Sequence, residues 1–474
     1  MHLPHVPLRR VATAAAAATA LALTTASPAN AAPAAGHTTT RHEPLSLRGV
    51  HPTGATYAIE VPAAWNGTVL SFSPGYGQGA GDDQRPAGLA GDADAQRWLL
   101  ERGYALAGTR PYGDGWAVEE TLRDSAATLA VLARQAGKPK ATLAWGPSMG
   151  GNIAAGLAER RADLVDGALP YCASVAGPVA MLNQSLDAAF AFTTLLAPGD
   201  HGITLVRRGS PEAEAHANAA ARTVLDTAQQ TPRGRARIAL AAAFAQVSTW
   251  SVPGTPEPAD DDWEGQQEQQ YAAFMPTVFS PRFPLEQRAG GNMSWNTGVD
   301  YRRLLRRSER VPQVSALYKA AGLDLDADLA RLAGAPRISA DRDAVAYMER
   351  NFTPGGELNV PVLTLHERGD NFPTVTQARA YSDVVRRAGD ARMLRQAFVD
   401  RPGHCRYTGA ELVATVLTLE RRVKTGRWGD TATAPELRRL AGRLTAGDSG
   451  LGTAQFVRFT PDRFLRPHVP GGAG

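Results

Sequence analysis

The segment at residues 143–152, LAWGPSMGGN, constrains the fold of this chain more than any other stretch. It carries the pattern Gly-x-Ser-x-Gly, with Ser148 at its centre. An apolar run over 141–145 predicts a buried strand before the pattern, and apolar residues at helical spacing predict a helix directly behind it. A strand, a sharp turn and a helix in this order are the setting of a nucleophilic serine.

Steric room and electrostatic stabilisation explain why a nucleophilic serine needs this pattern. Glycines on both sides leave room for a turn that directs the side chain of Ser148 away from the backbone. The N-terminus of the following helix directs free N–H groups and the positive end of its dipole toward the same point. An acyl-transfer intermediate carries its negative charge there. The segment therefore indicates a nucleophile, and an ordinary strand–helix turn is the alternative interpretation.

Short apolar strands and longer helical patterns alternate on both sides of this segment. This alternation is typical of βαβ units and a mostly parallel sheet. Two strand patterns flank the turn residues at 51–54 and predict a hairpin at the start. The predicted strands are 44–50, 56–61, 68–73, 104–109, 141–145 and 166–171, with one helix over 92–102 and a longer one that ends at Gly137.

The alternation stops over residues 173–358, where the pattern is helical with proline-rich interruptions. Ser210-Pro211 and Thr231-Pro232 are typical helix starts, because the hydroxyl caps the helix and proline fits its first turn. The polar stretch at 260–270 predicts a loop. We expect a large helical cap, inserted between two strands of the sheet.

The alternation returns after residue 358, and Thr408 with Glu411 forms a capping box for the last long helix. The predicted organisation is a first half of the core over 32–172, the cap over 173–358, and a second half with a tail over 359–474. The predicted elements of the second half are a strand at 360–366, a helix at 376–388 and a strand at 393–399. The tail holds a predicted helix at 435–444 and a predicted strand at 456–459, and the local pattern does not indicate where in the fold either of them lies.

Residues 1–31 read as a secretory signal peptide. Arg9 and Arg10 precede an apolar run, and Ala29-Asn30-Ala31 is a small-x-small cleavage site. The run is short for a bilayer, and no later stretch is apolar enough to span one. We therefore expect a secreted protein with no membrane span after cleavage, and a membrane anchor is the alternative interpretation.

Net charge and cysteine content limit the kinds of partner and ligand that we expect. The formal net charge of +4 includes two arginines of the leader, and no nucleic-acid motif accompanies the basic pairs at 302–303 and 306–307. The chain has two cysteines, Cys172 and Cys405, which tend to pair in an oxidising compartment. We expect a disulfide between them, no nucleic-acid partner, no metal site and no cofactor.

A serine hydroxyl becomes a nucleophile when a base takes its proton and an acid orients that base. Asp370 comes directly after the strand at 360–366, and His404 lies in a Gly-His loop after the next strand. The chain order serine, aspartate, histidine predicts Ser148 as nucleophile, Asp370 as acid and His404 as base. Glu367 and Asp400 are alternatives for the acid, and His366, His201 and His51 are alternatives for the base.

Three motifs, GPSMGG, HERGDNFP and RPGHCRY, resemble the nucleophile, acid and histidine loops of the α/β-hydrolase superfamily. The chain is most similar in these motifs to exported bacterial serine ester hydrolases with a Gly-His-Cys loop. The resemblance implies an α/β-hydrolase fold and hydrolysis of a small-molecule or short acyl substrate. Tannase and feruloyl-esterase enzymes also tie a cysteine beside the histidine to the site, but here Pro147 and Met149, not cysteine, flank the serine.

An oxyanion hole needs two N–H donors in fixed positions. Met149 supplies one of them because it follows the nucleophile. Resemblance to the Gly-rich loops of the superfamily implies Tyr76 as the second donor, with Gly75 as the next candidate. A plain Gly-rich turn is the alternative interpretation of the loop at 74–79.

The function predicted is hydrolysis of a carboxylic ester through an acyl-enzyme. An exported serine peptidase is the runner-up, and it needs acidic residues in the cap to hold a free amine. A non-catalytic binding protein on this scaffold is a third interpretation. The candidate acids for binding an amine are Glu357, Glu264 and Glu268. Aromatic residues of the cap are candidates for an apolar substrate pocket, although they also suit the core of the cap: Trp250, Trp263, Phe274, Phe279 and Trp295.

Overall fold

The computed structural model describes residues 43–79, 85–113, 115–199, 201–351 and 353–470. The signal peptide predicted at 1–31 lies outside these residues. Within the described ranges, no helix combines the length and apolar character needed to cross a membrane.

A nine-stranded sheet runs through the described residues, in the spatial order β1-β2-β4-β3-β5-β6-β7-β8-β9. Neighbours from β4 through β8 are parallel, whereas β1, β2 and β9 join antiparallel at the edges. The sheet is therefore mixed and mostly parallel, as predicted. The strands are β1 Leu45–Val50, β2 Thr56–Val61, β3 Thr68–Phe72, β4 Ala105–Arg110, β5 Ala141–Pro147, β6 Gly167–Tyr171, β7 Val362–Gly369, β8 Leu394–Pro402 and β9 Phe456–Val457.

Helices cover both faces of the sheet, which explains why β3, β4 and β6 are buried along their whole length. One face packs against α1, α14 and α15, and the other packs against α2, α3 and α13. These helices are α1 Ala93–Glu101, α2 Val118–Ala136, α3 Met149–Arg160, α13 Thr376–Ala388, α14 Gly409–Thr425 and α15 Ala434–Gly447.

A helical insertion between β6 and β7 corresponds to the predicted cap. Ser210 and Thr231 cap two of its helices, α5 and α6, as their sequence predicts. The helices are α4 Pro178–Leu196, α5 Pro211–Gln229, α6 Pro232–Ala245, α7 Trp263–Val278, α8 Phe283–Ala289, α9 Tyr301–Arg306, α10 Val311–Ala320, α11 Leu325–Gly334 and α12 Arg342–Arg350.

The loop predicted at 260–270 is wrong, because most of that stretch forms the first turns of α7. Two of its glutamines, Gln267 and Gln270, are buried and bonded to glutamines of other helices. Gln267 and Gln229 exchange hydrogen bonds of 2.8 and 3.0 Å, and Gln270 and Gln313 exchange bonds of 3.1 and 3.3 Å. Paired amides allow burial of polar side chains, so the polarity of the stretch misled the sequence-based prediction.

The tail takes a definite place in the fold. Helix α15 packs beside α14, and β9 extends the sheet by pairing antiparallel with β8. Farther on, Arg466 forms an ion pair with the buried Asp187 of α4 and donates to the carbonyl of Trp295 at 3.0 Å. The tail therefore contacts both the sheet and the helical insertion. The architecture as a whole is the α/β-hydrolase fold, which confirms the predicted fold class.

Candidate active site

Ser148 occupies a tight turn between β5 and α3. Its backbone has φ 54° and ψ −121°, a conformation that residues other than glycine seldom adopt. The turn packs closely against the end of β3: a Cβ atom on Gly150 would lie 2.1 Å from the carbonyl oxygen of Ser73, and one on Gly146 would lie 2.4 Å from it. Glycine at both positions is therefore what permits the strained turn.

His404 and Asp370 meet at the carboxyl ends of β7 and β8. The Nδ1 atom of His404 lies 3.0 Å from each carboxylate oxygen of Asp370. Asp370 is fully buried, whereas 28% of the His404 side chain is exposed. Oδ1 of Asp370 also accepts the N–H of Phe372 at 2.9 Å, and Nε2 of His366 lies 3.2 Å from Oδ2. These contacts fix the carboxylate and leave one edge of the imidazole for other partners.

The electrostatics of this pair favour a charged carboxylate. Burial by itself would raise the pKa of Asp370, but the charge of His404 and hydrogen bonds from His366 and His404 outweigh it, so the pKa is lowered. Burial would lower the pKa of His404, and the charge and hydrogen bond of Asp370 reverse this and raise it. The imidazole is thus the group of the pair that can exchange protons near neutral pH.

The alternative acids and bases have polar partners of their own. Glu367 is buried and accepts hydrogen bonds from Arg406 N–H and the Tyr407 hydroxyl. Asp400 pairs with Arg368 at 2.5 Å. Of the other histidines, His51 contacts the hydroxyl of Thr128, His201 contacts the carbonyl of Pro198, and His366 contacts Asp370.

One cavity, of about 560 Å³, is lined by four of the residues considered for the site. Ser148, His404, Gly75 and Tyr76 all line it. Met149 is buried and begins α3 directly after Ser148. The serine, the histidine and the Gly-rich loop thus share one space at the carboxyl edge of the parallel strands, where enzymes of open α/β sheets bind their ligands.

A disulfide joins Cys172 to Cys405, with their Cα atoms 5.3 Å apart, which confirms the predicted pairing. Cys172 directly follows β6, and Cys405 directly follows His404. The bridge therefore anchors the histidine loop to the sheet. One sulfur, Sγ of Cys405, lies 3.3 Å from Nε2 of His404.

Among the residues that line the site, Phe372 and Tyr407 were not predicted from sequence. Phe372 lines the cavity and its ring lies 6.3 Å from that of His404, in addition to its hydrogen bond to Asp370. Tyr407 lines the same cavity and is held by Glu367. Their only sequence signal is their nearness to Asp370 and His404.

None of the candidate pocket aromatics of the cap lines this cavity. Phe274 and Phe279 pack against Phe192 in the core of the insertion. Trp295 stacks edge-on with His468 of the tail, and Arg368 lies over the ring of Trp250. The three candidate amine-binding acids are exposed, and none of them lines the cavity: Glu264, Glu268 and Glu357.

Comparison with known proteins adds one close relative. No family model matches the chain. The chain is similar to the o-phthalyl amidase of Xanthobacter agilis, with 32% identity over 412 residues, which are 80% of this chain and 87% of that protein. Among solved structures, feruloyl esterase B from Aspergillus oryzae matches with a TM-score of 0.38 and 12% identity, over 80% of each chain. Lipase A from Candida antarctica matches with a TM-score of 0.36 and 14% identity, over 81% of this chain and 77% of that chain.

Proposed function

We propose that this chain, which belongs to the same family as the o-phthalyl amidase of Xanthobacter agilis, is a serine hydrolase that cleaves acyl bonds of small substrates. The observation that carries the proposal is the contact of His404 with the buried Asp370, at the edge of a cavity that Ser148 also lines. A strained serine, a histidine and a buried carboxylate are the parts that acyl transfer requires.

The proposal assigns each of these residues a role. Asp370 holds the imidazole of His404 through Nδ1, so Nε2 is the nitrogen that takes the proton of Ser148. Ser148 then attacks the acyl carbonyl, and the N–H groups of Met149 and Tyr76 stabilise the negative oxygen. His404 returns the proton to the leaving group, and a water molecule activated in the same way releases the acid from Ser148.

Among the candidate bonds, we place an amide first, because the family relative is an amidase. Esters of the same acyl group follow the same route and have a better leaving group, so we expect them to be cleaved as well. An aminopeptidase finds less support, since the acids considered for holding a free amine are exposed on the surface and lie outside the cavity.

We further propose that the protein acts outside the cell. The basic, apolar and small-residue segments of residues 1–31 support export. The disulfide is consistent with an oxidising compartment. Sequencing the N-terminus of protein recovered from culture medium tests this: it should begin directly after Ala31, and an uncleaved N-terminus on intracellular protein would contradict it.

The test of the proposed activity is a matched pair of substrates, an acyl p-nitroanilide and the p-nitrophenyl ester of the same acid. We expect the wild-type enzyme to hydrolyse both, and Ser148→Ala to lower kcat/KM for both by about 10³-fold or more. Hydrolysis by Ser148→Ala at the wild-type rate would remove the proposed nucleophile. Hydrolysis of the ester alone would assign the enzyme to ester hydrolysis.

A further inference from the structure

Ser148 borders two separate spaces. The first is the cavity of about 560 Å³ that His404 also lines. The second is a smaller pocket of about 30 Å³, lined by Trp116, Met181 and Leu285 among others. Tyr76 and Phe372 line both spaces and, with Ser148, form the boundary between them. A substrate attacked by Ser148 therefore has two directions in which its two halves can lie.

The position of His404 distinguishes the two directions. A general acid must reach the atom that it protonates within hydrogen-bonding distance, directly or through one water molecule. His404 lines the larger cavity and is not among the residues that line the smaller pocket. The leaving group must therefore occupy the larger cavity, and the acyl group that stays on Ser148 must point into the smaller pocket.

The walls of the smaller pocket define what it accepts. Trp116, Met181 and Leu285 are buried and apolar, and the ring of Phe372 closes one side. A space of about 30 Å³ holds about two water molecules, since each needs about 10–15 Å³ on this measure. Apolar walls favour an apolar group, and the small volume excludes a long chain.

We propose that this pocket is the acyl site and that it selects a compact, mainly apolar acyl group with a short chain. The assignment rests on the proposed function, because it needs Ser148 to form an acyl-enzyme. The helical insertion supplies much of the wall: Met181 lies in α4, Leu285 lies in α8, and Ser280 lies in the segment that leads into α8. Acyl selectivity is thus a property of the insertion, whereas the leaving group contacts mainly the loops of the core.

Two variants change the pocket in opposite senses. Leu285→Ala shortens a wall residue and enlarges the space. Ser280→Val adds bulk to a buried residue whose hydroxyl makes no hydrogen bond with the described part of the chain, and so narrows it. Gln78→Ala is the matched control, because Gln78 is exposed and lines the larger cavity but not the smaller pocket.

The experiment compares p-nitrophenyl acetate with p-nitrophenyl octanoate, which share one leaving group, by kcat/KM on the folded full-length enzymes. We expect the wild type to favour acetate by about tenfold or more. Leu285→Ala should reduce that ratio by about tenfold, Ser280→Val should increase it, and Gln78→Ala should leave it unchanged. The assignment is overturned if the wild type favours octanoate, or if Gln78→Ala moves the ratio and the two pocket variants do not. Absence of hydrolysis of either ester, and of the matched anilide, would instead contradict the proposed function itself.

Discussion

The Nδ1 atom of His404 lies 3.0 Å from both carboxylate oxygens of Asp370, although the two residues are 34 positions apart in the chain. The topology produces this contact because β7 and β8 are parallel neighbours and each ends at the same edge of the sheet. Asp370 and His404 therefore lie in neighbouring loops, each within a few residues of the end of its strand. The pair is the best-defined part of the proposed catalytic machinery.

Replacing Asp370 by asparagine tests whether the carboxylate orients the imidazole. An amide group can impose the wrong tautomer on His404 and cannot stabilise its charged form, so kcat should fall on the order of 10³–10⁴-fold. Steady-state kinetics measure this. The control is Asp400→Asn, since Asp400 pairs with Arg368 instead. Equal losses in the two variants would contradict the assignment of the acid.

The pH profile follows from the same pair. A general base works in its neutral form, so kcat/KM should rise with pH through the pKa of His404 and then level off. Burial lowers that pKa, but Asp370 raises it above the ordinary value of 6.5, which places the midpoint above 6.5. In Asp370→Asn the remaining effect of burial should move the midpoint to lower pH. An unmoved midpoint in kcat/KM would show that another group titrates.

Reducing the disulfide should lower kcat before the fold is lost. Cys405 adjoins His404 and the bridge ties this loop to the end of β6, so its loss frees the base to move away from Ser148. The bridge also closes a loop across 233 residues, for which the chain-entropy model gives about 5 kcal/mol of stabilisation. Activity, thiol titration and circular dichroism should be followed together. Unchanged kcat with two free thiols and intact secondary structure would refute a positioning role.

The paired glutamines of the insertion should contribute to stability. Gln267→Ala removes a fully buried side chain and leaves the amide of Gln229 without its partner, which should cost about 1–3 kcal/mol of unfolding free energy. Urea denaturation measures the change. Glu268→Ala is the control, because this neighbour on α7 is exposed and should shift the free energy by less than about 0.5 kcal/mol. Similar shifts for both variants would mean that the buried pair has no special role.

Local pattern was sufficient for the core of the fold. Parallel strands buried on both faces read as short apolar runs, and this predicted β3 and β5 to within two residues of the observed bounds. The helix over Thr376–Ala388 and the capping box at Thr408 were predicted as observed. The signal is strong here because each element is specified by residues close together in the chain.

What the sequence did not predict depends on distant partners. β9 has two residues and takes its position from β8, so nothing near Phe456 indicates where it belongs. The buried face of α7 depends on amide partners from other helices, such as Gln229. Trp116 borders Ser148 from a loop before α2, and no motif around it points to the serine. Such residues become identifiable when the chain is folded.

The most direct test of Ser148 as the nucleophile is to trap the enzyme with a fluorophosphonate and locate the modified residue by peptide mass spectrometry. We expect one adduct, on the hydroxyl of Ser148, with labelling much slowed in His404→Ala because the hydroxyl then lacks its base. An adduct on a different residue, or rapid hydrolysis of substrate by fully modified protein, would contradict this role of Ser148.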